Sequence, residues 1–283
     1  MNLATLIESH PSDHVALISR GRTTTYGELR EQVGGLRGGL TGLGLDVGDR
    51  VGILCANNWY FVVAYLAVLG AGGVAVPLNP LSPPAELEKE LAAVGARAVV
   101  VGPSGRAAID AVDRAGLPVL EFVIHAEGHE ADADGTVLLD DLIATASTPI
   151  VDRAPDDPAV LIFTSGTAGF PKAAILSHGN LLANIEQVAT LRPGDDLSRD
   201  VSFGVLPLFH IFGLNVVLGG ALAAGAAVLL VERFDPTSAL DAIVSHQVNV
   251  LAGAPTMWSA WANTPGLDPD VFARVELATS GAA

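Results

Sequence analysis

Lysine is almost missing from this chain: Lys89 and Lys172 are the only two, set against thirteen arginines in 283 residues. Acidic residues outnumber basic ones by 31 to 15, giving a formal net charge of −16. Such a surface repels phosphodiester backbones and anionic headgroups. Nucleic acid and anionic membrane are therefore excluded as generic partners, and an anionic ligand must be captured by local geometry. Cysteine is reduced to Cys55, so no intrachain disulfide can form, which suits a reducing compartment such as the cytoplasm. The opening MNLATLIESHPSDH has no basic stretch ahead of an apolar core and is not read as a secretory signal. A Gly-x-Ser-x-Gly elbow is also absent, which removes that serine-hydrolase reading.

Charge is missing over two long stretches, Val51 to Ala85 and Leu214 to Val231. The second, apolar over 18 residues, is near the lower limit for a transmembrane helix. Both are interrupted, the first by Gly70, Gly72, Gly73, Pro77, Pro80, Pro83 and Pro84, the second by Gly219, Gly220 and Gly225. They read as buried helices and strands, which are apolar on all sides in a parallel α/β protein.

Half of the residues are apolar, ample for a core, and the length exceeds the ~150 residues of a typical domain. Strand-like runs alternate with helical patterns. Strands are expected at Val15–Ser19, Arg50–Cys55, Val74–Val76, Ala98–Val101 and Val119–Ile124. Helices are expected after Thr25, over Trp59–Leu69 and Pro83–Val94, and near Ala107–Ala115. Glu127–Asp141 carries six acidic residues and no basic one and reads as a solvated loop. Its DADG (Asp132–Gly135) lacks the ligands of a calcium loop, and His125 and His129 read as surface histidines. The Pro- and Asp-rich stretch Thr148–Pro158 marks a boundary between units 1–158 and 159–283. A second series follows, with strands at Ala159–Phe163, Ala173–Ser177, Val201–Leu206, Ala226–Val231, Val248–Ala252 and Arg274–Ala278. Helices are expected at Asn180–Leu191, Ile211–Leu222, after the cap Asp235, and at Pro255–Asn263. The fold class is α/β, with largely parallel sheets flanked by helices.

The most specific segment is Leu161–Ala173, LIFTSGTAGFPKA. Thr164, Ser165 and Thr167 supply hydroxyls, Gly166 and Gly169 permit close backbone approach, and Lys172 supplies a mobile positive charge. Successive N–H groups in a glycine turn cradle anionic oxygens, so the combination suits a polyphosphate. It is not a Walker A loop, because Phe170–Pro171 precedes the lysine and a strand follows it. Any two of these residues alone would mean only a polar hairpin turn.

The full run closely resembles the phosphate-binding signature of the adenylate-forming superfamily: acyl- and aryl-CoA ligases, peptide-synthetase adenylation domains and luciferases. Ala168 stands where that family usually has threonine, and Ala173 where it has glycine. Other segments match in the family's order: TTYGEL (Thr24–Leu29), LGAGGVAVPLNP (Leu69–Pro80), LPLFHIFG (Leu206–Gly213), AGAPTMW (Ala252–Trp258) and ATSGAA (Ala278–Ala283).

The resemblance implies ATP-dependent activation of a carboxylic acid, fatty or otherwise apolar, followed by transfer to CoA. Lys172 and His210 are the implied catalytic residues. Thr164, Ser165, Gly166, Thr167, Ala168 and Gly169 with Lys172, and Gly281, Ala282 and Ala283, are implied to hold the nucleotide, with Thr167 toward Mg2+. Phe209, His210, Phe212, Gly213, Ala254 and Pro255 are implied to face the acid. It also implies that this is an incomplete N-terminal domain lacking the C-terminal domain, with weak activity alone and edges that homo-oligomerisation would cover. Delivery to a carrier protein, and a non-catalytic nucleotide- or acyl-binding module, are the alternatives.

Overall fold

The structure is a computed structural model that describes residues 1–127, 137–164 and 171–281. In chain order the strands are β1 (Val15–Ser19), β2 (Arg22–Thr25), β3 (Arg50–Leu54), β4 (Val74–Pro77), β5 (Ala98–Val101), β6 (Phe122–His125), β7 (Val137–Leu138), β8 (Pro158–Thr164), β9 (Lys172–Ser177), β10 (Val201–Gly204), β11 (Ala227–Leu230), β12 (Val250–Gly253) and β13 (Leu277–Ser280). The α-helices are α1 (Tyr26–Gly42), α2 (Trp59–Gly70), α3 (Pro84–Val94), α4 (Arg106–Asp110), α5 (Leu139–Ile143), α6 (His178–Ala189), α7 (Gly220–Ala224), α8 (Pro236–Ser245) and α9 (Pro255–Ala262).

The chain divides into two compact units. The first comprises Met1–Glu8, Glu28–Ala56 and Tyr60–Ala183; the second comprises Ser9–Gly27, Asn57–Trp59 and Asn184–Ala283. Thr148–Pro158, expected to mark a boundary, lies inside the first unit, because β8 pairs with β4 and extends that unit's sheet.

The first unit holds a sheet in the order β7-β6-β5-β3-β4-β8-β9. Its pairs are parallel except for the antiparallel β8 and β9. The interior strand β5, Ala-Val-Val-Val, is buried at every position, as a strand covered on both faces must be. Leu87 and Leu91 of α3 pack with Leu54, Val76, Val99 and Val101. Pro84 opens α3 and Gly95, at φ 59, closes it in the left-handed conformation. Helix α2 is apolar on every side and buried from Tyr60 to Gly70, which accounts for the first uncharged stretch without a membrane.

The second unit holds the sheet β13-β12-β10-β11-β1-β2, parallel except for the β1–β2 hairpin. Alternation along the strands gives it two faces. Phe203 and Leu251 pack against Ala239 and Ile243 of α8 and Met257 and Trp261 of α9. Asp235 accepts from the Ser238 N–H and caps α8, with Pro236 at the first helical position.

Four expectations are corrected here. His125 is buried at the end of β6 rather than at the surface, and that strand begins at Phe122 while Val119 is exposed. The helix expected over Ile211–Leu222 is a π-helix, Phe212–Gly219, running into α7. The helix near Ala107–Ala115 is only the short α4, followed by a 3-10 turn at Arg114–Gly116. Among the described residues no helix is long and apolar enough to cross a membrane. Of the expected readings, His129 and Asp132–Gly135 lie outside the described residues.

Candidate active site

In the first unit, β8 and β9 form an antiparallel hairpin whose last register pair is Thr164 with Lys172. The Thr164 hydroxyl donates to the Lys172 carbonyl at 3.4 Å, and both residues are exposed. The two ends of LIFTSGTAGFPKA are thus fixed side by side at the tip of a sheet. Ser165, Gly166, Thr167, Ala168 and Gly169 lie outside the described residues. The hairpin is tied down at its far end as well. His178, at the start of α6, is fully buried, and its Nδ1 accepts from the Leu3 N–H at 3.1 Å. A ring that accepts there is neutral. Burial, with a smaller contribution from Arg153, pushes its pKa down to about 4.

In the second unit, the segments singled out by sequence meet at the carboxyl ends of β10, β12 and β13. Ligands of open parallel sheets bind at such ends. After Gly204 the chain turns through Leu206–Pro207 into Phe209 and His210. The His210 N–H donates to the Pro207 carbonyl at 3.0 Å, and the Leu214 N–H donates to the His210 carbonyl at 2.9 Å. His210 is exposed, its ring 4.6 Å from that of Phe209. Partial burial of the imidazole lowers its pKa. The π-helix follows directly, a rare backbone state that often marks functional sites.

Phe212 is half-buried, and a Cβ on Gly281 would stand 3.1 Å from its ring. The Gly281 N–H in turn donates to the Gly253 carbonyl at 3.1 Å. Ala254 and Pro255 follow Gly253 and start α9. Phe209, His210, Phe212, Ala254 and Gly281 therefore share one edge of one sheet. Gly213 is different: it is buried, and a Cβ there would lie 2.4 Å from the Pro207 carbonyl oxygen and 2.6 Å from that of Leu206. Only glycine lets the π-helix fold onto the turn. Ala282 and Ala283 lie outside the described residues.

Sequence reasoning missed two features. One is Asn57, whose amide bonds to the backbone of Gly204, Leu206 and Leu208; an asparagine before a helix reads as a cap, and no local signal points to a strand so distant in sequence. The other is a cavity of about 530 Å³ at the amino-terminal ends of β10, β11, β12 and β13, away from the turn that carries His210. Ala252, Leu277 and Thr279, with Ile185 of α6, Val216 and Ala221, are among the residues that line it. At its rim Arg192 bridges three carboxylates, those of Asp195 (2.8 Å), Asp200 (2.6 Å) and Glu276 (2.5 Å). Among the described residues no group of three or more His, Cys, Asp or Glu side chains is placed to hold a metal. A magnesium ion carried on nucleotide phosphates needs no such cage.

The sequence profile of the AMP-binding enzymes matches residues 3–283, so the chain belongs to the AMP-binding enzyme family. It is 36% identical over 278 residues to 4-coumarate–CoA ligase 2 of Oryza sativa subsp. japonica, covering 93% of this chain and 48% of that protein. It is also 36% identical over 282 residues to a 3-[(3aS,4S,7aS)-7a-methyl-1,5-dioxo-octahydro-1H-inden-4-yl]propanoyl:CoA ligase of Mycobacterium tuberculosis, covering 96% of this chain and 54% of that protein. Among solved structures, ATP-bound MatB from Rhodopseudomonas palustris superposes with a TM-score of 0.85 at 31% identity, over 100% of this chain and 55% of that one. An anthranilate CoA ligase, AuaEII, solved with anthranoyl-AMP, shares the fold with a TM-score of 0.89 at 23% identity, over 99% and 55% of the two chains. The chain spans about half the length of the curated relatives it matches.

Proposed function

We propose that the protein activates an apolar carboxylic acid with ATP and passes the acyl group to CoA. A carboxylate oxygen attacks the α-phosphorus, the bond to the β-phosphate oxygen breaks, and acyl-AMP and pyrophosphate form. The CoA thiolate then displaces AMP at the acyl carbon. The observation that carries this reading is the β8–β9 hairpin with Thr164 and Lys172 at its tip, in a chain with only two lysines. Lys172 and the hydroxyl and N–H groups from Thr164 to Gly169 would hold the departing β- and γ-phosphates and neutralise their charge. The Thr167 hydroxyl would reach the magnesium ion that accompanies the nucleotide and screens its charge. His210, whose pKa partial burial lowers, would donate an N–H to the acid's carboxylate and fix its direction of attack.

The coumarate and indenyl-propanoyl relatives make a ring-bearing acid as well supported as a fatty one. Relatives named as CoA ligases favour CoA over a carrier protein as acceptor. The cytoplasm, where ATP and CoA are at hand and a lone buried Cys55 stays reduced, is the proposed setting.

The test is acid-dependent exchange of pyrophosphate into ATP by the full polypeptide that carries this sequence, across fatty, aromatic and polycyclic acids, beside Lys172→Ala. Exchange that requires an acid and falls at least about tenfold in the variant supports the reading. ATP binding without exchange would favour a non-catalytic module.

A further inference from the structure

We infer that Asn57 is a positioning residue for the acid-binding turn, holding His210 where a substrate carboxylate would meet it. The inference rests on the function proposed above. Asn57 is 5% exposed, and its amide is matched on both sides. Nδ2 donates to the carbonyls of Gly204 at 3.1 Å and Leu206 at 2.8 Å, while Oδ1 accepts from the Leu208 N–H at 2.9 Å. These three groups bracket the backbone that leaves β10 and enters the turn. Leu208 is followed at once by Phe209 and His210. The turn is then closed by the His210 N–H to Pro207 bond and continued into the π-helix by the Leu214 N–H to His210 bond. The path from the Asn57 amide to the imidazole is thus a short run of hydrogen-bonded backbone with little freedom.

Asn57 is itself a fixed post. Asn58 Nδ2 donates to Glu232 Oε1 at 2.9 Å, and Arg20 Nε reaches the same oxygen at 2.5 Å. The Trp59 N–H donates to Ser19 Oγ at 3.2 Å, and the Arg22 guanidinium lies 5.1 Å from the centre of the Trp59 ring. The tripeptide is therefore pinned to the ends of β1 and β11 while its first side chain pins the end of β10. Only an amide satisfies the pattern. Aspartate would turn an acceptor toward two carbonyl oxygens, and alanine would leave all three backbone groups without this partner.

The test compares Asn57→Ala and Asn57→Asp, with Asn57→Ser as a milder variant should either fail to fold. One readout is the NMR titration of the histidine side chains. The His210 signals should move and its midpoint should rise toward that of a free imidazole, while His178 of the first unit is unchanged. The other readout is the pyrophosphate exchange of the full polypeptide. The KM for the acid should rise about tenfold or more with the KM for ATP held within about twofold, since a small misplacement of a positioning group falls on one substrate. A folded variant with unchanged His210 signals, or one in which both KM values rise together, would overturn the inference. If the parent protein shows no exchange, the proposed activity fails, and the His210 titration still decides whether Asn57 holds the turn.

Discussion

Two buried groups of the first unit are expected to make its stability respond to pH in opposite directions. His178 is fully buried with its Nδ1 committed to the Leu3 N–H, and its pKa falls from 6.5 to about 4. The folded state therefore resists a proton that the unfolded chain accepts. Its contribution is fully present above pH 6.5 and is lost as pH falls toward 4, by about 3 kcal/mol at 1.36 kcal/mol for each tenfold change in proton affinity. Glu90 of α3 is 7% exposed; burial, with the charge of Glu86 adding to it, raises its pKa from 4.5 to about 7. The folded state keeps a proton that the unfolded chain releases. That contribution is present below pH 4.5 and is lost as pH rises through 7, again by about 3 kcal/mol. Between pH 4.5 and 6.5 the two slopes oppose each other. Urea unfolding of His178→Gln, Glu90→Gln and the parent at half-unit intervals of pH would separate them, because every other titrating group cancels in the difference. Relative to the parent, His178→Gln should gain stability as pH falls across this window, and Glu90→Gln should gain stability as pH rises. Difference curves that are flat, or inclined the other way, would refute the reasoning about burial.

Removing Arg192 should leave Asp200, whose side chain is 9% exposed, as a buried carboxylate that keeps the bond from the Asn249 amide but loses its charge partner. Arg192→Ala should cost about 3 kcal/mol in chemical denaturation, and Asp200→Asn added to it should restore part of that loss, since an uncompensated charge is the larger penalty. Gly213→Ala should destabilise by about 1–3 kcal/mol, the scale of overpacking at a rigid contact. It should also shift the His210 NMR signals, because the carbonyls it would press on close the same turn.

Much of this architecture is legible in the sequence, for physical reasons that differ by element. The unbroken apolar runs at Trp59–Gly70 and Ala98–Val101 have no exposed face to disguise them. Pro84, Pro236 and Asp235 mark helix starts by backbone chemistry that tertiary context seldom overrides. Strand β2, Arg-Thr-Thr-Thr, escaped because a polar edge strand has no apolar alternation and forms by pairing with β1. The π-helix escaped because an apolar run carries no sign of whether its turns hold 3.6 residues or more; the crowding of Gly213 against Pro207 is visible only in three dimensions. His125 looked like a surface residue because the acidic stretch follows it, yet it is buried at the end of a strand paired with β5 and β7. At the candidate site, the turn with Phe209, His210 and Phe212 was legible from its motif. Asn57 was not, since its partners lie 147 to 151 residues away. The cavity was not either, because its walls come from helices and strands scattered between Ile185 and Thr279.

The central claim is that ATP is cleaved between its α- and β-phosphates by an incoming carboxylate, and the products themselves test it most directly. Incubation of the full polypeptide with Mg-ATP and an accepted acid in the absence of thiol should yield acyl-AMP and pyrophosphate, seen by mass spectrometry. Addition of CoA should convert the acyl-AMP to thioester and free AMP. Formation of ADP with inorganic phosphate or an acyl phosphate, in place of AMP and pyrophosphate, would contradict the account.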